Sequence, residues 1–280
     1  LDRRMKATSL IVIVGLLTFD GTSVQAAERH FAQVWFCLER CGSDRAASLQ
    51  QLADVKAHGD AITHVSMEHW DLGDGGALID NGFSDIVSNV TQSGYLPIMM
   101  VTSVDLSRMR TLWQNPYAFI TALIAGLKAL GAKGVDFDFE PNAAGTEYDA
   151  ATYALFLSHV TTDLNREGLS VSADIATWND VWDFSLLGLT TTNQLSTMNT
   201  YAYHYTDFAA ALNFSQTYLK PYQMVVGLEE DYSTPLPSSE VAERFALMKQ
   251  LDLCRLSLWQ SPVPALWWPH VVDVAQRCRK

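Results

Sequence analysis

From residue 28 onward, short β-type apolar runs alternate with amphipathic stretches, and this alternation limits the chain to α/β architectures more sharply than any other feature. The runs are Ala32–Cys37, Ala61–Met67, Leu96–Thr102, Gly134–Glu140, Leu169–Ile175, Leu195–Tyr201, Gln223–Leu228 and Leu253–Trp259. Helical spacing follows each of them: Ala46–Ala57, Leu78–Gln92, Pro116–Leu130, Tyr148–Glu167, a short stretch near Val181–Leu187, Thr206–Leu219, Ser238–Leu251 and Val263–Arg277. Eight βα units in about 250 residues are the size of a closed (β/α)8 barrel, the TIM-barrel architecture, so a single α/β domain is expected over residues 28–280. A doubly wound open sheet is the alternative, because both designs bury parallel strands on two faces. No Gly-x-Gly-x-x-Gly follows the first strand, no Gly-x-x-x-x-Gly-Lys occurs, and there is no Gly-x-Ser-x-Gly elbow. Dinucleotide, P-loop and α/β-hydrolase readings therefore lack their defining turns, and no cofactor is implied.

The fourth run, Gly134-Val135-Asp136-Phe137-Asp138-Phe139-Glu140-Pro141, carries the chemistry. Side chains on a strand alternate between faces, so Asp136, Asp138 and Glu140 share one face, about 6.5–7 Å apart, and Val135, Phe137 and Phe139 fill the other. A solvated strand with a polar face would explain three acids equally simply. Two neighbours argue against it. Phe119, Ile120, Leu123, Ile124, Leu127 and Leu130 have helical spacing, and Gly131 closes that helix, so the strand follows a helix as in a βα repeat. Pro141, just past Glu140, sits where a ladder N–H is no longer needed, which places Glu140 at the C-terminal lip where barrel enzymes gather their reacting groups.

The net charge of −12 disfavours nucleic-acid backbones and anionic lipid surfaces. Lys6, the apolar stretch Leu10–Leu17 and the small pair Ala26-Ala27 have the layout of a secretory signal peptide over residues 1–27, with residues 1–4 upstream of a start at Met5. A secreted, extracellular protein with no membrane attachment after cleavage is expected. A transmembrane anchor is the rival reading, but the apolar core is short and Asp20 interrupts its flank. Cys37, Cys41, Cys254 and Cys278 are an even set in an exported chain, so two disulfides are plausible. Of the three pairings, Cys37–Cys41 with Cys254–Cys278 needs the least rearrangement. No Cys-x-x-Cys or His-x-x-x-His spacing suggests a metal.

On these residues the chain resembles glycoside hydrolase family 18, the chitinases and endo-β-N-acetylglucosaminidases, whose fourth barrel strand reads Asp-Gly-x-Asp-x-Asp-x-Glu. Here only the outermost acid departs, replaced by Lys133. Met198-Asn199-Thr200-Tyr201-Ala202-Tyr203-His204 is similar to the family's Met-x-Tyr-Asp followed by an aromatic, aligned on Tyr201 with Asn199 at the Met and Ala202 at the Asp. Trp259, ending strand eight, is similar to the tryptophan that floors the sugar subsite. The resemblance implies substrate-assisted retaining hydrolysis of β-linked N-acetylglucosamine, in which the substrate's own acetamido carbonyl attacks the anomeric carbon. It makes Glu140 the acid and later the base, Asp138 the partner of the acetamido N–H, Asp136 its buried support, and Tyr201 the holder of the carbonyl. Asn199 and Tyr203 join the substrate-binding set by the same alignment, and Trp259 stacks on the sugar.

Trp70 and Trp178 follow strands two and five on the same lip and are candidate platforms for the oligo- or polysaccharide, although packing is the commoner role of a tryptophan there. Glu229, Glu230 and Asp231 read as a solvated acidic turn. Two other functions stay open: a catalytically silent chitinase-like lectin, which retention of Glu140 disfavours, and a barrel glycosidase acting on a different polysaccharide, which Ala202 leaves possible.

Overall fold

The computed structural model describes residues 29–38, 42, 45–201, 205–229, 235–259 and 262–279. Its strands are β1 (Phe31–Phe36), β2 (His64–Leu72), β3 (Leu78–Asp80), β4 (Leu96–Ser103), β5 (Gly134–Phe139), β6 (Ser170–Ile175), β7 (Leu195–Thr197), β8 (Met224–Leu228) and β9 (Arg255–Leu258). All but β3 are parallel, and β1 pairs with both β2 and β9, so eight strands close into a barrel. Closure excludes the open doubly wound sheet. The helices are α1 (Arg45–Ala57), α2 (Ser84–Gln92), α3 (Leu106–Gln114), α4 (Tyr117–Leu130), α5 (Glu147–Arg166), α6 (Phe184–Leu187), α7 (Tyr205–Tyr218), α8 (Ser238–Gln250) and α9 (Trp268–Cys278).

Three local departures from the sequence reading have physical causes. The helix expected over Leu78–Gln92 is instead β3, antiparallel to β2, followed by α2, because Gly82 takes a left-handed φ of 80° between them. Helix α3 is additional. Asp105 caps it, accepting hydrogen bonds from the N–H groups of Ser107 and Arg108, and Leu106, Met109, Leu112 and Trp113 form its buried side. The sixth barrel strand, β7, stops at Thr197 and gives way to a 3-10 turn over Met198–Thr200.

Strand β5 is held by its apolar face. Phe137 packs against Phe156 of α5 at 5.3 Å between ring centroids and against Phe119 of α4 at 6.2 Å, while Phe139 meets Tyr153 at 6.4 Å. Each buried ring stabilises by roughly 2–3 kcal/mol, enough to hold the intervening acids toward the lumen. Gly131, at φ 70°, ends α4 by donating its N–H to the carbonyls of Leu127 and Lys128.

After β5 the chain enters α5 through a reciprocal cap: Thr146 accepts from the Asp149 N–H, and Asp149 accepts from the Thr146 N–H. Arg110 of α3 grips the same carboxylate through two bonds of 2.7 and 2.8 Å. The Arg110 guanidinium and the Thr146 bonds hold the Asp149 pKa down at about 2. A carboxylate with a depressed folded-state pKa contributes stability above its unfolded value near 4 and loses it as pH falls toward 2. With Arg110 half in solvent the contribution is about 1 kcal/mol. Urea unfolding at pH 7 and pH 2.5 should show this increment in the parent and not in Asp149→Asn; identical pH dependence would refute it.

The Cys254–Cys278 disulfide, 24 residues apart in sequence, ties the approach to β9 to the end of α9. Cys41 lies outside the described residues, and so does the expected Cys37–Cys41 bridge. Residues 1–27 also lie outside them. Among the described residues no helix is long and apolar enough to cross a membrane.

Candidate active site

The barrel lumen is polar where β5 crosses it. Asp136, fully buried, pairs in register with Met100 of β4 and Ser172 of β6. Its Oδ2 accepts hydrogen bonds from Gln33 Nε2 (2.9 Å), Trp35 Nε1 (2.7 Å) and Ser66 Oγ (2.9 Å), and its Oδ1 accepts one from Ser172 Oγ (2.5 Å). Burial raises the Asp136 pKa, opposed by these four bonds. Three other strands, β1, β2 and β6, thus converge on one carboxyl. Trp35 carries the linkage upward, its ring set edge-on to Trp259 at 5.5 Å.

Above Asp136 opens a pocket of about 490 Å³ at the C-terminal ends of β5 to β9. Asp138 and Glu140 line it from β5, Met198 and Tyr201 from the turn after β7, and Trp259 from the end of β9. Asp174 of β6, Trp178 beyond it and Glu229 beyond β8 complete the wall. Glu140 leaves the ladder by donating its N–H to the Ser103 carbonyl at 2.9 Å, and its side chain is half-buried at the rim.

Tyr201 reaches the pocket because the 3-10 turn changes the chain's period. In a strand, Met198 and Tyr201 would face opposite ways; with about three residues per turn they share a side. The turn is stitched to β8 by Thr200 Oγ1, 2.6 Å from the Gly227 carbonyl, and by Thr197 Oγ1, 3.2 Å from that of Val225. Gly227 also leaves room for the ring: a Cβ there would lie 2.7 Å from Tyr201 Cε1 and 2.5 Å from the Thr197 carbonyl oxygen. Burial first, then the carboxyls of Asp174, Glu229, Asp138 and Glu140, push the Tyr201 pKa well above its ordinary value. The phenol stays protonated and can donate a hydrogen bond.

Asp174 pairs with Ser196 of β7 and is 2% exposed. Burial, followed by Asp136, Asp138 and Glu140, holds its proton well above the usual carboxylate range. Desolvating a carboxyl beside like charges favours its neutral form. Sequence reasoning missed this residue, although Ser170, Ser172 and Asp174 alternate with Val171 and Ala173 in the same way as the acids of β5. Glu229, read as part of a solvated turn, instead lines the pocket; Glu230 and Asp231 lie outside the described residues.

The structure brings Asp138, Glu140, Tyr201, Trp178 and Trp259 together, with Asp136 beneath them. Trp178 is 57% exposed and stands edge-on to the buried Trp182 at 5.4 Å. Two expected residues are elsewhere. A bulge in β2 between Glu68 and Trp70 shifts the register against β4, so Asp71 faces inward and accepts from Thr102 Oγ1 at 2.7 Å. Trp70 is turned outward against Gly126 of α4, where an added Cβ would lie 3.0 Å from its ring. Asn199 points to α7, its Nδ2 3.3 Å from the Ala211 carbonyl and from Ser215 Oγ. Ala202, Tyr203 and His204 lie outside the described residues. Among the described residues no group of three His, Cys, Asp or Glu side chains is placed to hold a metal ion.

This barrel is shared with solved structures. A chitinase from Chromobacterium violaceum ATCC 12472 superimposes with a TM-score of 0.71 at 12% identity, covering 88% of this chain and 99% of that one. The Group IV chitinase of Ostrinia furnacalis, solved with allosamidin, gives 0.70 at 9% identity over 90% and 100% of the two chains. The chain has the chitinase fold. The spore cortex-lytic enzyme SleL of Bacillus cereus has the same fold, with a TM-score of 0.72 at 13% identity over 88% of this chain and 74% of that one. No protein-family model and no curated protein sequence matches the chain.

Proposed function

We propose that this chain is an exported glycoside hydrolase of the family 18 type, which cleaves β-linked N-acetylglucosamine glycans by substrate-assisted retention. One observation carries the reading: Glu140, Asp138, Tyr201 and Trp259, separated by up to about 120 residues of chain, line one pocket at the catalytic end of the barrel. The motif resemblance and the chitinase fold point the same way.

In the first step Glu140 gives its proton to the glycosidic oxygen, the acetamido carbonyl oxygen attacks C1, and the C1–O bond breaks to leave an oxazolinium ion. Asp138 accepts from the acetamido N–H and offsets the new positive charge, while the Tyr201 phenol donates to the carbonyl oxygen and fixes its line of attack. The Glu140 carboxylate then takes a proton from water as the water oxygen attacks C1; the C1–O bond to the acetamido oxygen breaks, the acetamide re-forms and the starting configuration is restored. Trp259 stacks on the apolar face of the sugar, and Trp178 offers a second aromatic surface at the rim.

A sugar thiazoline, which mimics the oxazolinium, should inhibit competitively and bind on the order of 100-fold more tightly than an N-acetylglucosamine disaccharide. Absence of inhibition in an enzyme that still cleaves chito-oligosaccharides would assign hydrolysis to a different mechanism. Chitin is the first substrate to assay. The likeness to a spore cortex-lytic enzyme makes a cell-wall glycan the second. Binding of chitin without any cleavage would favour the lectin reading.

A further inference from the structure

The mechanism above gives no task to two pocket carboxyls, Asp174 and Glu229, and Asp174 is the fully buried one. Asp174 and Asp136 are both buried inside the barrel, but they are satisfied differently. Asp136 accepts four hydrogen bonds, whereas Asp174 Oδ1 has no partner although the side chain lines the pocket. A carboxyl at a pocket wall with one buried oxygen unsatisfied is favoured as the neutral acid, and a turn of the side chain brings its O–H to a ligand atom. The groups around it define which kind. The charges of Asp136, Asp138 and Glu140 act on it from β5, and the hydroxyl of Ser196, its register neighbour, pulls the other way; its own charge is felt by Tyr201 and by Tyr153, which packs outside β5 on Phe139, and Glu229 lines the same pocket. No Lys, Arg or His is among the described lining residues. A negative charge on Asp174 would add to those of the neighbouring carboxyls, with no cationic side chain among the described lining residues.

We propose that Asp174 is a substrate-contacting residue that works as a neutral carboxylic acid, donating a hydrogen bond to an uncharged oxygen, hydroxyl or carbonyl, of the sugar held against Tyr201 and Trp259. This rests on the functional reading above and adds to it a donor, on the strand next to β5, that the motif does not contain. A neutral acid suits an oxygen acceptor and gives a carboxylate-bearing sugar no counter-charge. Its ionisation removes the donor and adds charge beside Asp138 and Glu140, so activity should fall as pH rises through its pKa, on the alkaline limb of the profile.

Two variants test this. Asp174→Asn keeps the shape and an N–H donor and cannot ionise; Asp174→Leu keeps the branching, with two methyls in place of the oxygens, and removes the donor. Turnover and calorimetric affinity for a chito-oligosaccharide should fall about fivefold in the Asn variant and on the order of 100-fold in kcat/KM in the Leu variant, with KM rising in the latter. The alkaline limb should move upward in the Asn variant. The carboxyl carbon resonance lost on Asp174→Asn should be that of a protonated acid in the parent at pH 7. An ionised resonance at pH 7, or a Leu variant equal to the parent in affinity and turnover while Glu140→Gln is inactive, overturns the inference and leaves the functional reading standing. If the parent binds without cleaving, the affinities of the two variants decide. If it neither binds nor cleaves such glycans, both fall.

Discussion

Glu140→Gln lowers cleavage of a chromogenic chito-oligosaccharide by on the order of 1,000-fold or more while changing its affinity by less than about threefold. The substitution preserves shape and the hydrogen bond to substrate but removes the only proton the proposed mechanism delivers to the leaving oxygen. Glu140 sits half-buried at the rim, its backbone pinned to Ser103, so an amide of equal size fits without moving β5. A leaving group that needs no protonation, such as dinitrophenolate, should recover part of the first step and isolate the loss to acid catalysis. Equal activity in variant and parent would remove Glu140 from the mechanism. Loss of affinity in proportion to activity would instead make it a binding residue.

Asp136→Leu should destabilise the barrel by about 4 kcal/mol, and Asp136→Asn by about 1–2 kcal/mol. Leucine has the branching of aspartate with methyls in place of its oxygens, and it leaves Gln33 Nε2 and Trp35 Nε1 buried with no acceptor; the hydroxyls of Ser66 and Ser172 can rotate, and those two donors cannot. Asparagine can present its oxygen to Gln33, Trp35 and Ser66 and its amide N–H to Ser172 Oγ. In a chain of this size the leucine variant should melt on the order of 10 °C lower, and urea titration gives the difference directly. Trp35 also supports Trp259 at the pocket, so glycan affinity should weaken more in Asp136→Leu than in Asp136→Asn. Equal stability of the two variants would mean that the four bonds are not what Asp136 is kept for.

Much of this architecture was legible in the chain because it rests on local periodicity. The alternation across 134–140 put the acids of β5 on one face, and the helical spacing ending at Gly131 placed a helix before it. Helix α3 was overlooked because only four apolar side chains mark it, between a strand and the Pro116 that starts the next helix. The inward-facing Asp174 carries the same alternating signal as β5, diluted by serines at the two preceding inward positions. Trp70 and Asn199 were misplaced for a related reason: one extra residue at a bulge, or a switch from two to three residues per turn, reverses which side chains face the lumen.

The sequence by itself determined the kind and order of the βα units and the shared face of Asp136, Asp138 and Glu140, since neighbours along the chain dictate both. Only the tertiary structure decided that Gln33, Trp35, Ser66 and Ser172 close around Asp136, that Asp174 and Glu229 join Glu140 at one pocket, and that Trp70 leaves it. Those outcomes depend on inter-strand register and barrel closure. Register is set by hydrogen bonds between segments 22 to 224 residues apart, and no local pattern of side chains encodes it.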